Sequence, residues 1–180
     1  MIGYNHLGKN GRLGNQMFQY ATTRGIAASK GYDFTIPDSD FQDQWNDHQL
    51  FDAFRMSGAK NIGFIDAQYY KEPDNHSHVY LQDFVDNCPD NISLYGYFQT
   101  EKYFKHIAND IRKDFTFVDN ILTPCKEAFS FDDVISLHVR RSDYLSATNV
   151  AYHSNCGDNY YENALKEFDS NLPVLIFSDD

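Results

Sequence analysis

The chain has 180 residues, 42% hydrophobic and 16% aromatic, enough apolar material for one domain or one domain and part of another. Its 15 basic and 26 acidic side chains leave a formal charge of −11, which argues against nucleic-acid or anionic-membrane binding, since both need a basic face. The three cysteines, Cys88, Cys125 and Cys156, have no zinc-type spacing, and no apolar run reaches the ~20 residues of a membrane span, so the chain reads as soluble, cytoplasmic and thiol-reduced.

Ile2 to Asn5 is a short strand candidate. Gly8, Gly11 and Gly14 make the next stretch a loop, and Asn15 is placed to cap the helix that follows. Met17, Phe18, Ala21, Gly25 and Ala28 recur near helical spacing up to Lys30, and Gly31 is the expected stop. "YDFTI", Tyr32 to Ile36, alternates and ends at Pro37, which marks a strand. Strand, glycine loop, helix and strand make a βαβ unit. Residues 38–90 read as polar and irregular apart from a short helix near His48 to Met56. "NISLYGYFQT" follows as strand and turn. Glu101 to Phe115 carries Phe104, Ile107, Ala108, Ile111 and Phe115 on one helical face, with Thr100 as its cap.

"VISLHV", Val134 to Val139, is a continuous apolar strand of the kind buried in parallel sheets. A polar loop, the helix "YYENALKEF" and the strand "VLIFSDD" complete a second βαβ unit. Two strands and one helix cannot cover both faces of a parallel sheet, so the second domain is expected to be incomplete. The fold class is therefore α/β, with an N-terminal domain over residues 1–130 and a partial second domain over 131–180.

Two stretches carry chemistry. In "LHVRRSDYL" a strand delivers His138, Arg140, Arg141 and Asp143 at its carboxyl end, where parallel α/β sheets bind ligands. Paired guanidiniums in so acidic a chain call for an anion, and their forks match phosphate oxygens; a salt bridge from Arg140 to Asp143 is the structural alternative. In "GRLGNQMFQYA", Gly11 to Ala21, a glycine loop opens a helix and offers backbone N–H groups to an anion or a sugar. It matches neither the Walker loop nor the dinucleotide fingerprint, so a plain turn is the competing reading. Asp38-Ser39-Asp40 has the DxD form of a metal–diphosphate clamp, but in an acidic chain it reads as a solvated loop. His6, His48, His76, His78, His106 and His153 have no partners at chemical spacing and read as surface or packing residues.

Together these segments resemble the α-1,2-fucosyltransferases of glycosyltransferase family 11. Gly11 to Ala21 matches that family's N-terminal segment almost letter for letter, His138 to Tyr144 its HxRRxDY signature with Ser142 where glycine is common, and Gly96 to Phe104 its GYFQ[ST]EKYF segment. The resemblance implies transfer of L-fucose from GDP-fucose to the 2-hydroxyl of a galactose-terminated glycan acceptor, with inversion, without metal or other cofactor. It implies a GT-B-like arrangement: an N-terminal α/β domain, then the first βαβ unit of a Rossmann-like donor-binding domain. Arg140 and Arg141 fall on the arginines expected to neutralise the GDP diphosphate, and Gly14, Asn15 and Gln16 are expected to face the donor, Asn15 both capping its helix and touching ligand. Asp143 and His138 are the candidate bases, with Arg141 also stabilising the leaving group; the leaving phosphate taking the proton, or Asp143 only orienting an arginine, are the alternatives. No nucleic-acid partner is implied, and membrane association would arise only through the acceptor. Family members continue past the position of Asp180 with a segment expected to complete the nucleotide pocket. A non-catalytic fragment that binds glycan or nucleotide is therefore the second reading.

Overall fold

A computed structural model describes residues 1–38, 47–129, 133–146, 148–150 and 156–178. The chain divides into two compact units, Met1–Cys125 and Lys126–Asp180.

The first unit is built on a four-stranded parallel sheet of order β2-β1-β4-β3. Its strands are β1 (Ile2–Gly3), β2 (Phe34–Thr35), β3 (Gln68–Lys71) and β4 (Ile92–Tyr95). β1 is only two residues long yet central: Ile2 lies opposite Phe34 on one side and Ile92 on the other. Both its residues are buried, as a middle strand's must be. The first βαβ unit is as expected, with helix α1 (Leu13–Lys30) between β1 and β2, ending at a left-handed Gly31.

α1 is the spine of this unit. It buries Gln16, Gln19, Tyr20, Ala21, Thr22, Thr23, Gly25, Ile26 and Ala27, so small and polar residues face inward beside the aromatic ones. Thr23 Oγ1 is satisfied by Gln19 O at 2.8 Å. A Cβ on Gly25 would stand 2.4 Å from Tyr103 O, so only glycine lets residues 103–104 lie on the helix. This close approach explains a difference from expectation. Glu101 to Phe115 is not one helix but two single 3₁₀ turns, Glu101–Tyr103 and Lys105–Ile107, followed by α4 (Ala108–Asp114). Phe104 breaks the run with φ −130°, placing its ring 6.2 Å from Phe18, and Thr100 makes no side-chain capping bond. Tertiary packing has overridden helical periodicity.

Opposite α1, Asp114 is a buried carboxylate with four partners. It pairs with Arg24 and accepts hydrogen bonds from Tyr20 Oη at 2.8 Å, Gly58 N–H at 2.7 Å and Ser57 Oγ at 3.1 Å. It ties α1, α4 and the 57–58 turn together.

The span expected to be irregular holds more than one short helix. α2 (Leu50–Ala53) is shorter than expected, and β3 and α3 (Gln82–Asp86) are additional. A further helix, α5 (Asp119–Ala128), has no buried residues and carries Pro124 inside it. In the second unit β5 (Ile135–Val139) and β6 (Val174–Ser178) pair in parallel, with α6 (Asp158–Leu165) between them in sequence, as the second βαβ reading requires. Their burial differs from expectation: among the described residues of this unit only Ile135 is a buried hydrophobic, and Ile176 is 63% exposed.

Candidate functional site

In the first unit the loop after β1 and the turn after β4 meet at the carboxyl edge of the sheet. Gly11 adopts φ +87°, and a Cβ there would stand 2.1 Å from Asn15 Nδ2, so the loop folds back onto its own helix only with glycine. α1 begins at Leu13, one turn earlier than an Asn15 cap would require. Arg12 holds the cap position with no side-chain bond. Asn15 is thereby freed for another partner: its Oδ1 accepts from Gln99 Nε2 at 2.7 Å. Two of the segments that carry the family resemblance are joined by this bond across 84 positions of sequence.

The three neighbours Gly14, Asn15 and Gln16 have different settings. Gly14 is exposed, with open space where a side chain would project. Asn15 is half-buried. Gln16 is fully buried, and its amide is committed at both ends. Its Nε2 donates to Asp47 O at 2.6 Å and to Gly11 O at 3.4 Å, while its Oε1 accepts Gln49 N–H at 2.9 Å. Gln19 bridges loops through its Nε2 alone, donating to Asn10 O at 2.8 Å and Gly96 O at 3.4 Å, while its buried Oε1 accepts no hydrogen bond among the described residues. Tyr4 Oη also donates to Gly96 O, at 2.5 Å, and burial raises its pKa well above the ordinary tyrosine value. Buried amides thus set the loop and leave Gly14 and the unpaired N–H groups of the first helical turn facing outward. No acidic residue lies in that turn, so the positive helix end is open to an anion.

His6 lies just past β1, its ring 5.0 Å from both Tyr69 and Tyr95. Burial, aided by the charge of Lys9, lowers its pKa and keeps it neutral. His48 is buried against Phe51, with neither ring nitrogen hydrogen-bonded, and burial lowers its pKa against the opposing charges of Asp52 and Asp38. Both pack as the sequence reading expects of them. Asp38 is exposed; Ser39 and Asp40 lie outside the described residues. Among the described residues no three His, Cys, Asp or Glu side chains gather as a metal-ligand set. None of the described helices is long and apolar enough to cross a membrane.

In the second unit β5 delivers its basic residues at its carboxyl end. His138 is exposed in the strand, opposite Phe177 of β6. Arg140 follows the strand, half-buried, with its guanidinium 5.1 Å from the Tyr144 ring centroid. Arg141 is exposed, and its carbonyl accepts Leu145 N–H at 3.0 Å, closing the single turn Ser142–Leu145. Asp143 belongs to that turn; its side chain, like Asp179 and Asp180, lies outside the described residues. The cation–π contact holds the guanidinium over an aromatic face, a less hydrated setting than open water.

Two further residues shape the first unit's edge without having stood out in the sequence. Gln99 sits within the quoted GYFQTEKYF segment, but its partner could not be read from spacing. Glu72 carried no signal; its carboxylate accepts Tyr97 N–H at 2.8 Å and Phe98 N–H at 3.1 Å.

The comparisons with known proteins agree with these segments. An α-1,2-colitosyltransferase of Escherichia coli is 29% identical over 196 residues, covering 94% of this chain and 67% of that protein. A galactoside α-(1,2)-fucosyltransferase 2 of Mus musculus is 26% identical over 180 residues, covering 93% of this chain and 49% of that protein. The chain thus spans about two thirds of the bacterial relative and about half of the mouse one. No solved structure matches the chain significantly. The family model described as glycosyl transferase family 11 matches residues 1–180, and the chain belongs to that family.

Proposed function

We propose that the chain carries the donor-binding arginines and the glycine-loop edge of an inverting α-1,2-fucosyltransferase acting on GDP-fucose and a galactose-terminated acceptor. The observation that carries the reading is the Arg140-Arg141 pair at the carboxyl end of a parallel strand, in a chain that belongs to a glycosyltransferase family. In this reading the two domains take the GT-B arrangement, and the arginines neutralise the GDP diphosphate while Gly14 and Asn15 face the donor. Gln16 acts through the loop it holds. The acceptor 2-hydroxyl attacks the anomeric carbon of fucose, the bond to the β-phosphate oxygen breaks, and GDP leaves with the electron pair. In this reading the guanidiniums of Arg140 and Arg141 stabilise the charge as it develops on that oxygen, so the proposal needs no metal ion. The hydroxyl proton passes to Asp143 or His138, or to the departing phosphate.

The test is calorimetric titration with GDP in the presence of EDTA, with UDP as control, followed by a transfer assay to a β-galactoside. GDP-selective, chelator-resistant binding that is lost in Arg141→Ala supports the reading. Metal-dependent binding overturns it in favour of a metal–diphosphate clamp at Asp38-Ser39-Asp40, and no binding overturns it in favour of a non-catalytic chain. A second reading, colitosyl rather than fucosyl transfer, is favoured by the colitosyltransferase relative. Competition between the two nucleotide sugars separates them.

A further inference from the structure

Three loops that follow parallel strands of the first unit enclose a cavity of about 320 Å³. Asn10 comes from the loop after β1, Glu72 and Asp74 from the one after β3, and Tyr97 from the turn after β4. This is the edge where parallel sheets hold ligands. The volume lies at the small end of ligand pockets, roughly 300–1,000 Å³, and suits one or two sugar rings rather than a nucleotide sugar.

The lining decides the chemistry of the occupant. It contains two carboxylates, the amides of Asn10 and Asn75, and the hydroxyl of Ser77, with no lysine or arginine. A phosphate would meet net negative charge there and is excluded. A neutral polyhydroxylated ring fits. Its hydroxyls donate to carboxylates in charge-assisted bonds, amides can both donate and accept, and an aromatic ring covers its apolar C–H face.

The wall is held and the interior left unspent. Glu72 uses its carboxylate on the Tyr97 and Phe98 amides and fixes the turn. That turn keeps Phe98 at φ +51°, a left-handed conformation a bulky side chain rarely adopts, and Asn75 across the cavity sits at φ +60°. Strain of the kind held at Phe98 gathers at ligand sites, whereas asparagine takes the left-handed conformation at little cost. Among the described residues the carboxylate of Asp74, by contrast, has no hydrogen-bond or ion-pair partner, and Tyr97 remains 44% exposed.

We infer that this cavity is the subsite for the terminal neutral pyranose of the acceptor, with Asp74 accepting from its hydroxyls and Tyr97 covering a ring face. The inference rests on the fucosyltransferase reading for the identity of the sugar, and its test is separable from that reading. Saturation-transfer NMR with methyl β-D-galactopyranoside is run on the whole chain and on Asp74→Ala, Tyr97→Ala and the distant surface change Lys60→Ala, beside a GDP titration of each. Transfer to the galactoside should be strong in the parent chain and in Lys60→Ala. It should fall about tenfold in Asp74→Ala and in Tyr97→Ala, with GDP affinity unchanged. Both altered side chains are exposed, so circular dichroism should show an unchanged fold. No transfer in the parent chain, or full transfer in both cavity variants, overturns the inference even where GDP binds. Transfer that depends on Asp74 and Tyr97 in a chain that does not bind GDP would keep the cavity and overturn the donor reading.

Discussion

Strands β4 and β5 are similar in apolar content, "ISLY" against "ISLHV", yet they end in opposite surroundings. β4 is flanked by β1 and β3, and Ile92, Ser93 and Leu94 are all buried. Among the described residues β5 pairs with β6 alone, and of its residues only Ile135 is buried. The same contrast runs through the units. Met1–Cys125 has a continuous core around Tyr4, Tyr20, Ile26, Leu94 and Phe98, while Val174, Ile176 and Phe177 stand 42%, 63% and 48% exposed in β6. Strand apolarity therefore records the setting a segment suits. Layers placed on both faces are what convert it into burial.

The comparison can be broken most severely at Asp114. Asp114→Ala leaves the half-buried Arg24 without its partner and removes three further bonds to a buried carboxylate, so the first unit should lose about 3–5 kcal/mol in urea unfolding. The amides of β5 should exchange as before; a change there would mean the two units do not differ as described. Hydrogen exchange of the unaltered chain sharpens the contrast next. Ile92 to Leu94 should exchange at least about a hundredfold more slowly than Leu137 and Ile176. Arg141→Ala then separates ligand chemistry from core stability. GDP binding should weaken by about 1.5–3 kcal/mol, roughly ten- to over a hundredfold, with thermal unfolding unmoved. A smaller effect joins the two motifs of the first unit: a double-mutant cycle on Asn15→Ala and Gln99→Ala should return a coupling near 1 kcal/mol. Additive single changes would show that the bond is without energetic weight.

The mildest probe is pH. Burial holds His48 below its ordinary 6.5, and His6 shifts the same way. The unfolded chain therefore binds protons that the folded one does not. Stability is full above 6.5 and declines as pH falls through it, and only below the lowered folded value does the slope vanish. The urea midpoint of the first unit should drop between pH about 7.5 and about 5.5, and His48→Phe should flatten that slope. A slope equally steep in His48→Phe would assign it to other groups.

The elements legible in the sequence were those marked by their own residues rather than by their partners. α1, β2, β4 and the β5–α6–β6 unit each announce themselves by periodicity and by a glycine or proline at the boundary. β3 did not, because "QYYK" is an edge strand with exposed side chains, and only its register with Ile92 to Tyr95 makes it a strand. α5 was hidden by Pro124 and by a surface position that needs no apolar stripe. The helix expected over Glu101 to Phe115 failed at Gly25, a residue far earlier in the sequence. The site divides likewise. Arg140, Arg141 and the Gly11–Gln16 loop stood out by residue type, whereas Glu72 and the Asn15–Gln99 bond depend on which strands lie side by side.

Gln16 joins two stretches of chain through one planar group, donating on one edge and accepting on the other. Few side chains can do both. Glutamate has nearly the same shape, but at neutral pH its carboxylate only accepts, so Asp47 O and Gly11 O would each face an anion. A change of a single atom type, with no change in volume, would thus invert the polarity of the joint and set the glycine loop adrift from residues 47–49. The position of the helix end is in this sense written in the two-sided chemistry of one amide rather than in the glycines beside it.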